Sequence, residues 1–82
     1  MAFQEVLELL ADIETDRTVP RNVRTAVLEV KRDLKNDKLE EDIRINNAIS
    51  ILDEVSGDPN IPIYTRTQIW NIVSVLESKE SA

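Results

Sequence analysis

Two stretches of this chain place a carboxylate and a guanidinium at the same separation. Asp16-x-x-x-Val19-Pro20-x-x-x-Arg24-Thr25 recurs 42 residues later as Asp58-x-x-x-Ile61-Pro62-x-x-x-Arg66-Thr67. An Arg one or two turns into a helix can reach back to the corner that precedes it, and its planar fork matches a carboxylate. The pattern suits a structural brace in which Asp16, Arg24, Asp58 and Arg66 hold a corner, each Arg serving its own corner or its partner's. Two arginines converging on one ligand would instead form a two-fold anion site. The brace is the simpler reading, since acids, caps and prolines at the ends of helices explain themselves.

A second constellation is basic. At the helical period, Arg21, Arg24, Lys31, Arg32 and Lys35 share an arc of about 100°. Such a face suits contact with a phosphate backbone. It equally suits the acidic face of a neighbouring helix (Glu5, Glu8, Asp12) or water. No aromatic residue is interleaved for base stacking, and the second copy of the repeat lacks the basic pattern.

Acidic clusters give a third possibility. Asp53, Glu54 and Asp58 lie close in sequence but lack the alternating ligand order of a calcium loop. Glu40-Glu41-Asp42 is a charge run at a helix start, where acids favour the dipole. Both read as structural, and no metal or cofactor is expected. The chain has neither His nor Cys, which removes the usual general base, serine triads, thiolate chemistry, disulfides and most zinc or copper ligand sets. Catalysis is not expected.

Global electrostatics point the same way. Net charge is −6; the first 43 residues hold 7 basic and 11 acidic groups, and the rest hold 3 and 5. Neither half is basic, which opposes binding to nucleic acid or anionic membranes. No apolar run approaches a membrane span, and the acids within Phe3–Leu10 break any resemblance to a secretory signal. A cytoplasmic location is expected.

The elements that must position these residues are helical. Phe3, Val6, Leu7, Leu10 and Ile13 recur at three and four residues and predict a helix over about 3–15. Val23, Ala26, Val27, Val30 and Leu34 predict a second over about 19–35, capped by Thr18 with Pro20 in its first turn. Leu39, Ile43 and Ile45 lead into Ala48, Ile49, Leu52 and Val55 in a third, about 38–56. Asp37-x-x-Glu40 has capping-box spacing at its start, and Gly57 suits a left-handed stop. Ile69, Ile72, Val73 and Leu76 mark a fourth, about 61–78, with Asn60 and Pro62 standing where Thr18 and Pro20 stood. The segment 79–82 is expected to fray.

Residues 3–34 and 45–76 align without gaps with six identities, Leu10/Leu52, Asp16/Asp58, Pro20/Pro62, Arg24/Arg66, Thr25/Thr67 and Leu34/Leu76, and further aliphatic matches. The expectation is one all-α domain over 1–82, a compact four-helix bundle built from two related helical hairpins. Short connections make successive helices antiparallel, and a two-repeat solenoid has too few repeats to stand alone.

Val19-Pro20-Arg21-Asn22-Val23-Arg24, the run from Ala48 to Pro62, and Thr65-Arg66-Thr67-Gln68-Ile69-Trp70-Asn71-Ile72-Val73-Ser74-Val75-Leu76-Glu77 resemble a small archaeal uncharacterised protein family, number zero-one-four-seven in the UPF series. The resemblance spans nearly the whole chain and is most specific from Asp58 to Leu76. It implies an archaeal cytosolic protein of four helices. It implies no activity, and no site residue carries over from it.

Trp70 stands out because it projects beyond the apolar stripe of the fourth helix. Its counterpart in the second helix, Leu28, is equally off-stripe. Each either closes the rim of the core or anchors an interface, where Trp is enriched. Tyr64 is expected to cover the bundle end. The functional expectation is a non-catalytic interaction or structural module, able to form a homodimer, with Trp70 and Leu28 as its working surface. The alternative is a nucleic-acid or ribonucleoprotein-associated protein using the basic face.

Overall fold

The apolar periodicity resolves, in a computed structural model describing residues 3–81, into four helices: α1 (Gln4–Glu14), α2 (Arg21–Leu34), α3 (Glu41–Ser56) and α4 (Ile63–Ser81). Each packs on its chain neighbours and α4 returns to α1, so the helices form a closed ring with α1/α3 and α2/α4 on the diagonals. This is an up-down-up-down four-helix bundle, 32 × 20 × 19 Å. The four stripes meet on its axis. Val6, Leu10 and Ile13 face Val23, Val27, Val30 and Leu34, then Ile45, Ala48 and Leu52, then Ile69, Ile72 and Leu76, all buried. Phe3, Val19 and Ile61 are buried at the ends of these stripes. Ile43 does not join them and is 43% exposed; two residues before Ile45, it points about 200° away around the helix.

All three connections are six residues long, over 15–20, 35–40 and 57–62, and all three have one hydrogen-bonding plan. An Asx side chain caps the turn. The Thr18 N–H donates to Asp16 Oδ1 at 2.9 Å, Lys38 to Asn36 Oδ1 at 3.1 Å and Asn60 to Asp58 Oδ1 at 2.8 Å. One residue on, Val19, Leu39 and Ile61 donate to the carbonyls of those same Asx residues at 3.2, 3.1 and 3.4 Å. Asn36 lies 20 residues after Asp16 and 22 before Asp58, so the middle corner falls outside the 42-residue match.

This plan corrects the expected helix ends. Thr18 and Asn60 do not cap helices: the Thr18 hydroxyl is turned back to Asp16 Oδ1, and among the described residues no helix amide donates to either side chain. Pro20 is the N-cap of α2, not a first-turn residue, with φ −55° and ψ 147° and no side-chain cap. Pro62 stands one residue before α4 and its carbonyl accepts from the Arg66 N–H at 3.1 Å. The Asp37/Glu40 capping box does not form: Glu40 is the N-cap of α3, without a side-chain cap bond. Gly57 is not left-handed, having φ −84° and ψ −3°. Helix α4 runs to Ser81, past the expected end at 78, and Ala82 lies outside the described residues.

Candidate functional site

The repeated arginines serve the corners through backbone carbonyls. Arg24 Nε donates to the Val19 carbonyl at 3.1 Å. Arg66 Nε donates to Ser56 at 3.0 Å and its Nη2 to Asp58 at 3.2 Å, both to carbonyl oxygens. Arg44, which no sequence match had singled out, occupies the same place in the middle corner: Nε donates to the Leu39 carbonyl at 3.0 Å and Nη1 to that of Leu34 at 3.2 Å. Leu34 and Ser56 are the last residues of α2 and α3. Their carbonyls have no partner within the helix and sit at the negative end of its dipole, so a guanidinium there satisfies both demands. The acceptors are therefore not the carboxylates that the Asp/Arg spacing suggested.

The aspartates have another task. Hydrogen bonds from the Thr18 hydroxyl, at 2.6 Å, and from the Thr18 amide hold Asp16 below the ordinary carboxylate range. The Asn60 amide, and then the Asn22 side chain, do the same for Asp58. Asn22 Nδ2 reaches Asp58 Oδ2 at 3.1 Å and ties the start of α2 to the third corner.

The basic face of α2 is largely committed. Arg24 is held by the first corner, and Lys31 pairs with Glu14 at 2.5 Å with both side chains mostly covered. The acidic partner on α1 is thus Glu14, not Glu5, Glu8 or Asp12. Arg21, Arg32 and Lys35 remain exposed, accompanied by the acidic Glu29. Lys31, Arg32, Lys35, Leu28 and Asp33 border a surface depression of about 570 Å³. Among the described residues, no three acidic side chains come together to hold a metal ion.

Trp70 is 56% exposed and Leu28 47%. They do not share a surface, because α2 and α4 lie diagonally across the ring. Trp70 instead has company on its own helix. Ile63 is 79% exposed and Tyr64, expected over the bundle end, is 69% exposed. Ile63, Thr67, Trp70, Ser74 and Glu77 are all exposed and follow one another at four, three, four and three residues. That spacing keeps them on one line along the helix. From 63 to 76 the only charged residue is Arg66, whose guanidinium is turned to the corner carbonyls. The other three helices expose charge: Glu5, Glu8 and Asp12 on α1, Arg21, Glu29 and Arg32 on α2, Glu41, Asp42, Asp53 and Glu54 on α3. From Ile63 to Leu76 the outward face of α4 thus carries no exposed carboxylate, and Glu77 marks where that stretch ends. The signal of this face in the sequence was Trp70 off the apolar stripe, in a stretch whose only charge from 63 to 76 is Arg66; Ile63 drew no separate expectation, and Tyr64 lies exposed and not over the bundle end.

Comparison with known proteins adds relatives and no activity. The profile described as an uncharacterised protein family, UPF0147, matches residues 1–78. The chain is 49% identical over 76 residues to a UPF0147 protein of Methanothermobacter thermautotrophicus, covering 93% of this chain and 74% of the relative. It is 51% identical over 69 residues to one of Methanocaldococcus jannaschii, covering 84% and 74%. A crystal structure from the same family in Thermoplasma acidophilum superimposes with a TM-score of 0.90 at 39% identity, covering 94% of this chain and 91% of that one. A second, of a protein of unknown function, gives 0.89 at 47% identity with 94% and 88% covered.

Proposed function

The chain belongs to the uncharacterised archaeal family UPF0147, and from that footing we propose that it is a non-catalytic interaction module working through the outward face of α4. The observation that carries this reading is Trp70, 56% exposed on a helix face without exposed charge from 63 to 76. An indole left in water forgoes the burial that makes Trp a costly surface residue and a frequent interface anchor. Ile63, two turns before Trp70 on the same line, and Tyr64, to one side of it, are also exposed, so the helix presents three large side chains to solvent. The site would act in the cytoplasm and requires no cofactor. Among the described residues no helix is long and apolar enough to cross a membrane.

The nucleic-acid alternative has less to support it, because two of the five basic-face cations are already engaged. The test is affinity capture from native cell extract, using the wild-type chain and a Trp70→Glu variant as parallel baits. At least one bound protein, a second copy of this chain included, should be held by the wild type and lost from the variant. Identical sets of bound proteins would sink the proposal. Bound RNA that survives in the variant and is released by salt would move the reading to the α2 face.

A further inference from the structure

Resting on that reading and deepening it, we infer that the partner of this face is a second copy of the chain, with the two α4 helices antiparallel and Trp70 of each copy seated against Thr67 of the other. Along the exposed line, large and small residues alternate as Ile63, Thr67, Trp70 and Ser74. A two-fold axis passing midway between positions 68 and 69 sets Ile63 opposite Ser74 and Trp70 opposite Thr67. Along this line each large side chain then meets a small one, the condition for facing layers to interdigitate, and the line is complementary to itself, as a two-fold interface must be; Tyr64 lies to one side of it. A parallel pairing in register would set Trp70 on Trp70 and leave Ser74 facing Ser74.

Hydrogen bonding fits the same contact. The Thr67 hydroxyl already donates to the Ile63 carbonyl at 3.1 Å, so covering it with an indole strands no polar group. Charge narrows the choice of face. Each copy carries −6, so two copies repel least where exposed charge is sparse, and the line from Ile63 to Ser74 carries none; in this register Glu77 falls beyond it, opposite Asn60. A contact one helix wide is small for a specific interface. The association is therefore a reversible one, seen as a monomer–dimer equilibrium across the micromolar range.

The test is sedimentation equilibrium of the full chain, from low micromolar to near-millimolar concentration, on the wild type, Trp70→Thr, Thr67→Trp and the double exchange. Both substituted positions are exposed, and a thermal melt of each of the three variants confirms folding. The wild type should dimerise. Trp70→Thr leaves a gap and Thr67→Trp a collision, and each should weaken the dimer by at least about tenfold. The double exchange restores one large and one small residue at each meeting point and should recover the wild-type constant to within a few-fold. A wild type that stays monomeric throughout overturns the second copy as partner. A dimer indifferent to Trp70→Thr overturns the face, and failure of the double exchange to recover overturns the antiparallel register. The capture experiment fails separately: Trp70-dependent capture of a different protein by a strictly monomeric chain would refute this inference while leaving the interaction reading intact.

Discussion

Arg44 stands over the ring of Phe3, its guanidinium carbon 5.6 Å from the ring centroid, while its two hydrogen bonds run to Leu39 and Leu34. One side chain on α3 therefore joins the start of the chain, the end of α2 and the middle corner. Arg24, by contrast, makes one bond, within its own corner. A lysine keeps the charge in either place but loses the planar fork and its stacking surface. Arg44→Lys is expected to lower stability by about 1–2 kcal/mol and Arg24→Lys by less than about 1 kcal/mol. Urea unfolding of the two variants checks the ordering; equal losses would show that the second bond and the ring contact contribute nothing.

Acid sensitivity follows from the two aspartates. Both are held below 3.8 by hydrogen bonds that only the folded corners supply. Between the folded and unfolded values the unfolded chain binds more protons, so stability rises with pH there. The contribution is complete above 3.8 and is lost as pH falls through the lower folded values. Asn36 shows that a neutral amide oxygen can cap the same turn. Asp16→Asn/Asp58→Asn should therefore fold and melt cooperatively, with a smaller drop in Tm than the wild type between about pH 5 and about pH 2. Parallel acid titration curves for the two proteins would contradict the assignment.

The fold was legible because four stripes of Leu, Ile and Val recur at helical spacing, and Phe3, Val19 and Ile61 fall where the stripes need closing. The helix starts were expected two or three residues early, at 19, 38 and 61 against 21, 41 and 63. The reason is chemical: Thr18, Asp37 and Asn60 are all able to cap a helix, and nothing local reveals that an Asx residue upstream has already claimed the neighbouring amides for a turn. The middle corner escaped notice because it keeps only what the geometry uses. Asn36 provides the acceptor, Leu39 the amide that closes the turn and Arg44 the brace, whereas Glu40 stands in place of the proline and the corners are 20 and 22 residues apart. Trp70 was visible as an off-stripe residue. Its separation from Leu28 was not, since that depends on which helices are diagonal in the ring.

Gly57 needs none of glycine's conformational freedom. Its φ of −84° and ψ of −3° match those of Thr15, −93° and 0°, and Lys35, −88° and −6°, at the same place in the other corners. A Cβ added there would lie 3.6 Å from the Glu54 carbonyl oxygen, an ordinary contact. Gly57→Ala removes freedom from the unfolded chain without straining the fold and should stabilise by about 0.4–1 kcal/mol. A lower melting temperature for the variant would mean that the corner requires the glycine after all.

The three corners also predict where a proline can be added. Glu40 is the N-cap of α3 with φ −57° and ψ 149°, against −55° and 147° for Pro20 at the start of α2. Proline fixes φ near this value, so the ring would enter a backbone already shaped for it. Its missing N–H removes nothing, because no acceptor for the Glu40 amide is found among the described residues. Its carbonyl still accepts from Arg44, as the Pro20 carbonyl accepts from Arg24, both at 3.0 Å. The residue before a proline is pushed out of the helical region; Leu39 belongs to the turn, as do Val19 and Ile61 ahead of their own prolines. Glu40→Pro should therefore raise stability by about 0.4–1 kcal/mol through the unfolded chain, readable as a higher urea midpoint with an unchanged slope. Proline elsewhere in a helix costs about 3 kcal/mol, so the two outcomes are far apart. A loss of that size would show that the middle corner is not the equivalent of the other two.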